Sequence, residues 1–135
     1  MRKLMILSCF AFVACSETSS GGFHTRNGVR VAPVNAQVFE VSQSPSGVGE
    51  ADFWCGAGDY ARRMLGAKDS ERVYVVSEAG PGVVAQSNST VQFSMSPPEQ
   101  TQGALGRVSS WGPKIGTSSS VVRSASSCRT PQNRD

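Results

Sequence analysis

The chain has 135 residues, with 13 basic and 10 acidic side chains, one histidine and four cysteines. Without Arg2 and Lys3, which head an apolar leader, 11 basic residues face 10 acidic ones, so bulk charge gives no argument for nucleic acid as a partner. One histidine and cysteines without metal-ligand spacing predict no metal site, no cofactor motif stands out, and no carboxylate pair stands out as acid and base.

Met1, Arg2 and Lys3 precede a mostly apolar run from Leu4 to Ala14. The run is too short to span a bilayer, which takes about 20 helical residues, and it predicts a secretory signal over residues 1–14. At its end, Phe12-Val13-Ala14-Cys15 resembles the lipobox of bacterial lipoproteins, with Phe12 where the box has Leu. That resemblance implies acylation of Cys15, which would become the new N-terminus. At about 0.8 kcal/mol per buried CH₂, several acyl chains make such an anchor effectively permanent. The competing outcome is ordinary cleavage near Ala14, with Cys15 lost. Ile6-Leu7-Ser8-Cys9 also fits the box by letters, but the apolar run before Cys9 is too short.

Residues 15–27 are rich in Ser, Gly and Thr and read as a flexible linker between anchor and domain. His24 falls in this linker and reads as solvated. From Gly28 the pattern becomes strand-like: Val29 and Val31 flank Arg30, and Gln37 to Gln43 sets Phe39 and Val41 on one face with Glu40 and Ser42 on the other. Ser44 to Glu50 reads as a loop. Beyond the helix described next, Arg72 to Glu78 is a β-rich run, Ala79 to Ser89 a loop, and Thr90 to Ser96 alternates Val91, Phe93 and Met95 until Pro97-Pro98 ends it. Asn88-Ser89-Thr90 matches a glycosylation sequon, which a bacterial-style export signal makes a chance match.

Between the second and third strands, Asp52 to Gly66 predicts an amphipathic helix. On a helical wheel Phe53, Trp54, Ala57, Tyr60, Ala61, Met64 and Leu65 share an arc of roughly 140°. Asp59 can meet Arg63 four residues on. Asp52 suits the N-cap, and Gly66 the left-handed position past the last turn. Gly56 and Gly58 each cost about 1 kcal/mol inside a helix relative to alanine, a penalty explained if another backbone approaches closely there. Gly47/Gly49 and Gly56/Gly58 are too little for a phosphate cradle. Cys55 lies about 150° from the centre of the apolar arc, so it is predicted to point outward.

A helix with one apolar stripe needs a sheet to cover. The predicted fold is an α+β domain over residues 28–98, a single amphipathic helix on a small four-stranded mixed or antiparallel sheet. The strands flanking the helix would run parallel through a right-handed crossover if they share the sheet, and the last pair antiparallel. Residues 99–135 contain eight serines and read as an irregular, partly disordered tail. Two cysteines in so small an exported domain predict a Cys55–Cys128 disulfide that straps this tail across the outward face of the helix.

Phe53-Trp54-Cys55-Gly56 is similar to the helix-start nucleophile of NlpC/P60-type cysteine peptidases, which implies a cell-wall hydrolase using Cys55. That family takes its base from a histidine on a later strand, and no histidine follows His24. The segment Trp54-Cys55-Gly56-Ala57-Gly58-Asp59-Tyr60-Ala61-Arg62-Arg63, with Leu65-Gly66-Ala67, resembles small exported bacterial proteins of an uncharacterised family, and implies no chemistry. The reading that remains is a non-enzymatic envelope protein on the periplasmic side of a bacterial membrane. Its expected partners are the membrane, through the lipid, and an envelope protein or cell-wall component.

Overall fold

The computed structural model describes residues 23–25, 28–43 and 49–128. Strands β1 (Phe23–His24), β2 (Arg30–Pro33) and β3 (Val38–Ser42) precede helix α1 (Glu50–Arg63). They are followed by β4 (Arg72–Gly80), β5 (Thr90–Ser94), a 3-10 turn (Pro98–Gln100), β6 (Ser118–Ser120) and helix α2 (Val121–Ala125). The architecture is α+β, with one main helix, one short helix and a single six-stranded sheet in the order β1-β2-β3-β5-β4-β6.

All five strand pairings are antiparallel, so the sheet has six strands where four were expected. The four strands read from periodicity are β2 to β5. The additional β1 lies in the stretch read as linker, where Phe23 gains an edge-on contact with Tyr60 at 5.6 Å and lies 4.8 Å beneath the Arg63 guanidinium. The additional β6 comes from the expected irregular tail. Strands β3 and β4 do share a direction, since both are antiparallel to β5, but β5 is inserted between them. The parallel neighbouring pair is therefore absent, and each gains antiparallel bonds to β5 instead.

The front face of the sheet and α1 enclose the core. Val31, Phe39, Val41, Val75, Val91 and Phe93 project from the strands towards Phe53, Ala57, Tyr60 and Ala61 of the helix. Trp54 closes one side, edge-on to Phe93 at 5.2 Å. Both ends of α1 differ from the sequence reading. Gly49 occupies the N-cap with φ 99°, which places Asp52 inside the first turn and not at the cap. At the other end Gly66 adopts the expected left-handed φ of 65°, and the Ala67 N–H donates to the Ala61 carbonyl at 2.9 Å. Regular helix ends at Arg63, so the chain turns before Met64 and Leu65 reach the core; they are 59% and 48% exposed.

A third layer covers the side of α1 opposite the sheet. Helix α2 lies there, and the two helix glycines serve opposite neighbours. A Cβ on Gly56 would run into Val41 on β3 and would come within 2.9 Å of Cγ1 of Val29, the residue just before β2. A Cβ on Gly58 would run into the backbone nitrogen of Ala125 and come within 2.6 Å of Ser124 Cβ, on α2. Only a bare backbone lets α2 settle this close. Ser124 fits because it is small, and its buried Oγ has no hydrogen-bond partner among the described residues.

Two substitutions separate space from polarity at this contact. Gly58→Ala should lower the urea midpoint by an amount equivalent to about 1–3 kcal/mol, despite alanine's higher helix propensity, because the obstacle is main chain. Ser124→Ala should leave the midpoint unchanged or raise it, since the hydroxyl it removes is buried and unpaired. A midpoint unmoved or raised by Gly58→Ala would show that α2 is not held against that turn.

Candidate functional site

The disulfide predicted from the sequence is present: Cys55 and Cys128 are bonded, with their Cα atoms 4.7 Å apart and 73 residue steps between them. The predicted orientation of Cys55 needs a correction. Its side chain does point away from the sheet, but it is fully buried, because the segment ending at Cys128 covers that flank of α1. The sulfur resembling a peptidase nucleophile is thus committed to a covalent bond. An Sγ in a disulfide has no thiolate to attack a carbonyl.

Beside this bond a cleft of about 570 Å³ is lined by His24, Thr25, Asp59, Arg62, Arg63, Ala125 and Cys128. Its two guanidinium groups are engaged: Arg63 meets Asp59 at 3.1 Å, the pair expected on α1, and Arg62 meets Asp69 at 3.2 Å. Among the described residues His24 makes no side-chain hydrogen bond or ion pair, and the carboxylate that shares the cleft with it, Asp59, is paired with Arg63. Among the described residues no cluster of three or more His, Cys, Asp or Glu side chains could hold a metal ion. Cys15 lies outside the described residues.

The chemistry that sequence reasoning missed is on the back face of the sheet. Glu40 and Ser42, placed by alternation on the face opposite Phe39 and Val41, are buried there with Thr90, Gln92 and Ser77. Cross-strand register aligns Glu40 with Gln92 and Gln92 with Ser77, a polar row over β3, β5 and β4. Buried polar groups are tolerable only when hydrogen-bonded, and this row is paired with the backbone of two loops laid over it. The Glu40 carboxylate accepts from the backbone N–H groups of Val83 at 2.5 Å, Val84 at 3.0 Å and Ala85 at 3.1 Å. It also accepts from Gln92 Nε2 at 3.0 Å. Gln92 Oε1 accepts from the Leu105 N–H at 2.8 Å, and Ser77 Oγ from the Arg107 N–H at 3.0 Å.

The next residue of β4 repeats the device. Glu78 accepts from the backbone N–H groups of Ser109 at 2.9 Å and Ile115 at 3.1 Å, and from Lys114 Nζ at 3.4 Å. The loops are also tied to each other, since Arg107 Nη2 donates to the Pro81 carbonyl at 2.6 Å. Gly80 leaves room for that arginine, because a Cβ there would overlap its side chain. Residues 82–85 and 105–115 are therefore fixed in place, and they carry Val83, Val84, Leu105, Val108 and Trp111, all exposed.

The two carboxylates respond to this setting in the same direction. Burial pushes the Glu40 carboxyl upward, but the donors Val83, Gln92, Ala85 and Val84 together outweigh it and hold the group below the ordinary carboxylate value of 4.5. Glu78 is also lowered, mainly by the Ser109 and Ile115 N–H groups, with Lys114 adding to them. A carboxylate lowered on folding contributes stability that is present above its unfolded value and is lost as pH falls through its folded value. Comparisons with known proteins found no family model, curated protein or solved structure that matches the chain.

The disulfide and the carboxylates lead to separate measurements. Intact mass should rise by two hydrogen atoms on reduction, and Cys128→Ser should lose about 4 kcal/mol of stability, the loop-closure value for a span of this length. Free thiols in the purified, unreduced protein would contradict the bond. The melting temperature should fall as the pH drops from about 5 to about 3, and Glu40→Gln should flatten that slope while lowering stability at neutral pH. An unchanged acid slope in Glu40→Gln would remove the carboxylate from the account.

Proposed function

We propose that this is a non-enzymatic, exported protein of the bacterial envelope, anchored by lipid on Cys15, that binds another envelope protein through the loops over the back of its sheet. The observation that carries the binding reading is the capture of both loops by buried side chains of the strands beneath them. Scattered apolar residues on a surface are ordinary. Val83, Val84, Leu105 and Val108 differ in being exposed on backbone already held by Glu40, Gln92 and Ser77 and by the Arg107 bond to Pro81. A preordered loop loses little conformational freedom on association, which favours recognition.

The anchor rests on the leader and the Cys15 box. A chain of eight residues from Cys15 to Phe23 reaches at most about 28 Å, so a lipid on Cys15 would keep the domain close to the bilayer surface. The non-enzymatic part of the reading is supported by the bonded state of Cys55 and by the ion pairing of Arg62 and Arg63 in the disulfide cleft.

The test is affinity capture of the tagged protein from its own envelope fraction, run beside Val83→Asp and Val108→Asp variants whose anchoring Glu40 and Ser77 are untouched. A partner retained by the wild type and lost from both variants is the expected result. Equal capture by all three would reject the loop surface. Independently, metabolic labelling with a radioactive fatty acid should mark the wild type and not Cys15→Ser; an unlabelled wild type would reject the anchor.

A further inference from the structure

A second recess lies away from the loop face, where the end of α1 meets the β2–β3 turn and the end of β5. Its volume is about 140 Å³, and Val38, Phe39, Tyr60, Leu65 and Met95 supply its apolar lining. An enclosed apolar cavity of about this size takes up a guest as large as benzene, and this recess, open to solvent on one side, has comparable room. The walls are firm. The Tyr60 ring lies 4.7 Å from that of Phe39 and 5.6 Å from that of Phe23. Asn35 Oδ1 accepts from the N–H groups of Gln37 and Val38 at 2.8 and 2.9 Å, which fixes the turn.

Tyr60 is only 7% exposed, and its hydroxyl, which keeps some accessible surface, makes no hydrogen bond among the described residues. A buried phenol ordinarily finds a partner. Several polar groups at the rim are already used: Asn35 Nδ2 donates to the Gln102 carbonyl, Gln37 Oε1 accepts from the Gln102 N–H, and Ser94 Oγ accepts from the Ser96 N–H and Thr101 Oγ1. Burial, unopposed by any hydrogen bond, pushes the ionisation of Tyr60 up, so at physiological pH the group is a protonated donor. Leu65, half exposed, extends the apolar surface at the mouth.

We propose that this recess is a binding site for a small apolar group bearing a hydrogen-bond acceptor, with Phe39, Leu65 and Met95 enclosing the group and the Tyr60 hydroxyl donating to the acceptor. The site does not depend on the envelope reading, and it lies on the front side of the sheet. Its chemistry selects a ring or branched chain of phenyl or isobutyl size with a carbonyl at one end.

The test uses the disulfide-bonded, exported protein and two probes, benzamide, which carries a carbonyl, and toluene, which does not. Methyl resonances of Val38, Leu65 and Met95 are followed during titration. Both probes should give saturable shifts confined to these residues. Tyr60→Phe, which keeps the ring packing, should weaken benzamide roughly five- to tenfold and leave toluene unchanged, the loss expected for one hydrogen bond. Ala36→Trp, on the exposed turn at the mouth, should abolish the shifts for both probes without touching the aromatic contacts. Benzamide binding equally well to Tyr60→Phe, or shifts that persist in Ala36→Trp, would overturn the assignment, as would the absence of saturable shifts in the wild type.

Discussion

A single carboxylate, Glu40, receives three successive backbone N–H groups from the β4–β5 loop and a fourth donor from Gln92. A charge with no accessible surface is tolerated only when its lone pairs are filled, and here they are filled mostly by main chain. The loop is therefore held by the sheet it covers, and the sheet can bury a charge because the loop is there. Gln92 and Ser77 extend the same exchange along the row to residues 105–107, and Glu78 continues it on β4. The back of the sheet is thus a polar interior, with its specificity set by counted hydrogen bonds and not by shape packing.

The opposite side is assembled by different physics. There α1 lies between the valines of the sheet and the short helix α2, and each contact demands a missing side chain, Gly56 towards the strands and Gly58 towards α2. Dispersion and apolar burial dominate this side, and the covalent link from Cys55 to Cys128 holds the third layer down. A small domain gains two protected faces in this way. One is closed by hydrogen bonds to loops, the other by a helix tied through sulfur.

How much of this was legible follows from signal length. Strands β2 to β5 and helix α1 carry five or more residues of alternating or helical pattern, or close to it, and were read in place. Strands β1 and β6 have two and three residues, and Ser118–Ser120 has no alternation to detect. The wheel placed Cys55 away from the sheet but could not know that α2 would cover it, because a helix of five residues in a serine-rich stretch has no periodicity to announce it. Met64 and Leu65 were placed on the inward arc by assuming the helix continued to Gly66. The burial of Glu40 was not legible, because alternation reveals which residues share a face and says nothing of what lies over that face. The available hint was the other half of the exchange: two long loops rich in Gly, Pro and Ser, with backbone donors needing acceptors.

The position of the two sulfurs in the chain constrains how the molecule can be completed. Cys128 emerges 73 residues after Cys55, so β4, β5 and every loop over the back face must already have left the ribosome before the bond can close. Until then the flank of α1 bearing Gly58 has no lid. Oxidation is therefore a late sealing event in the making of the chain, placed after every strand of the sheet has been synthesised.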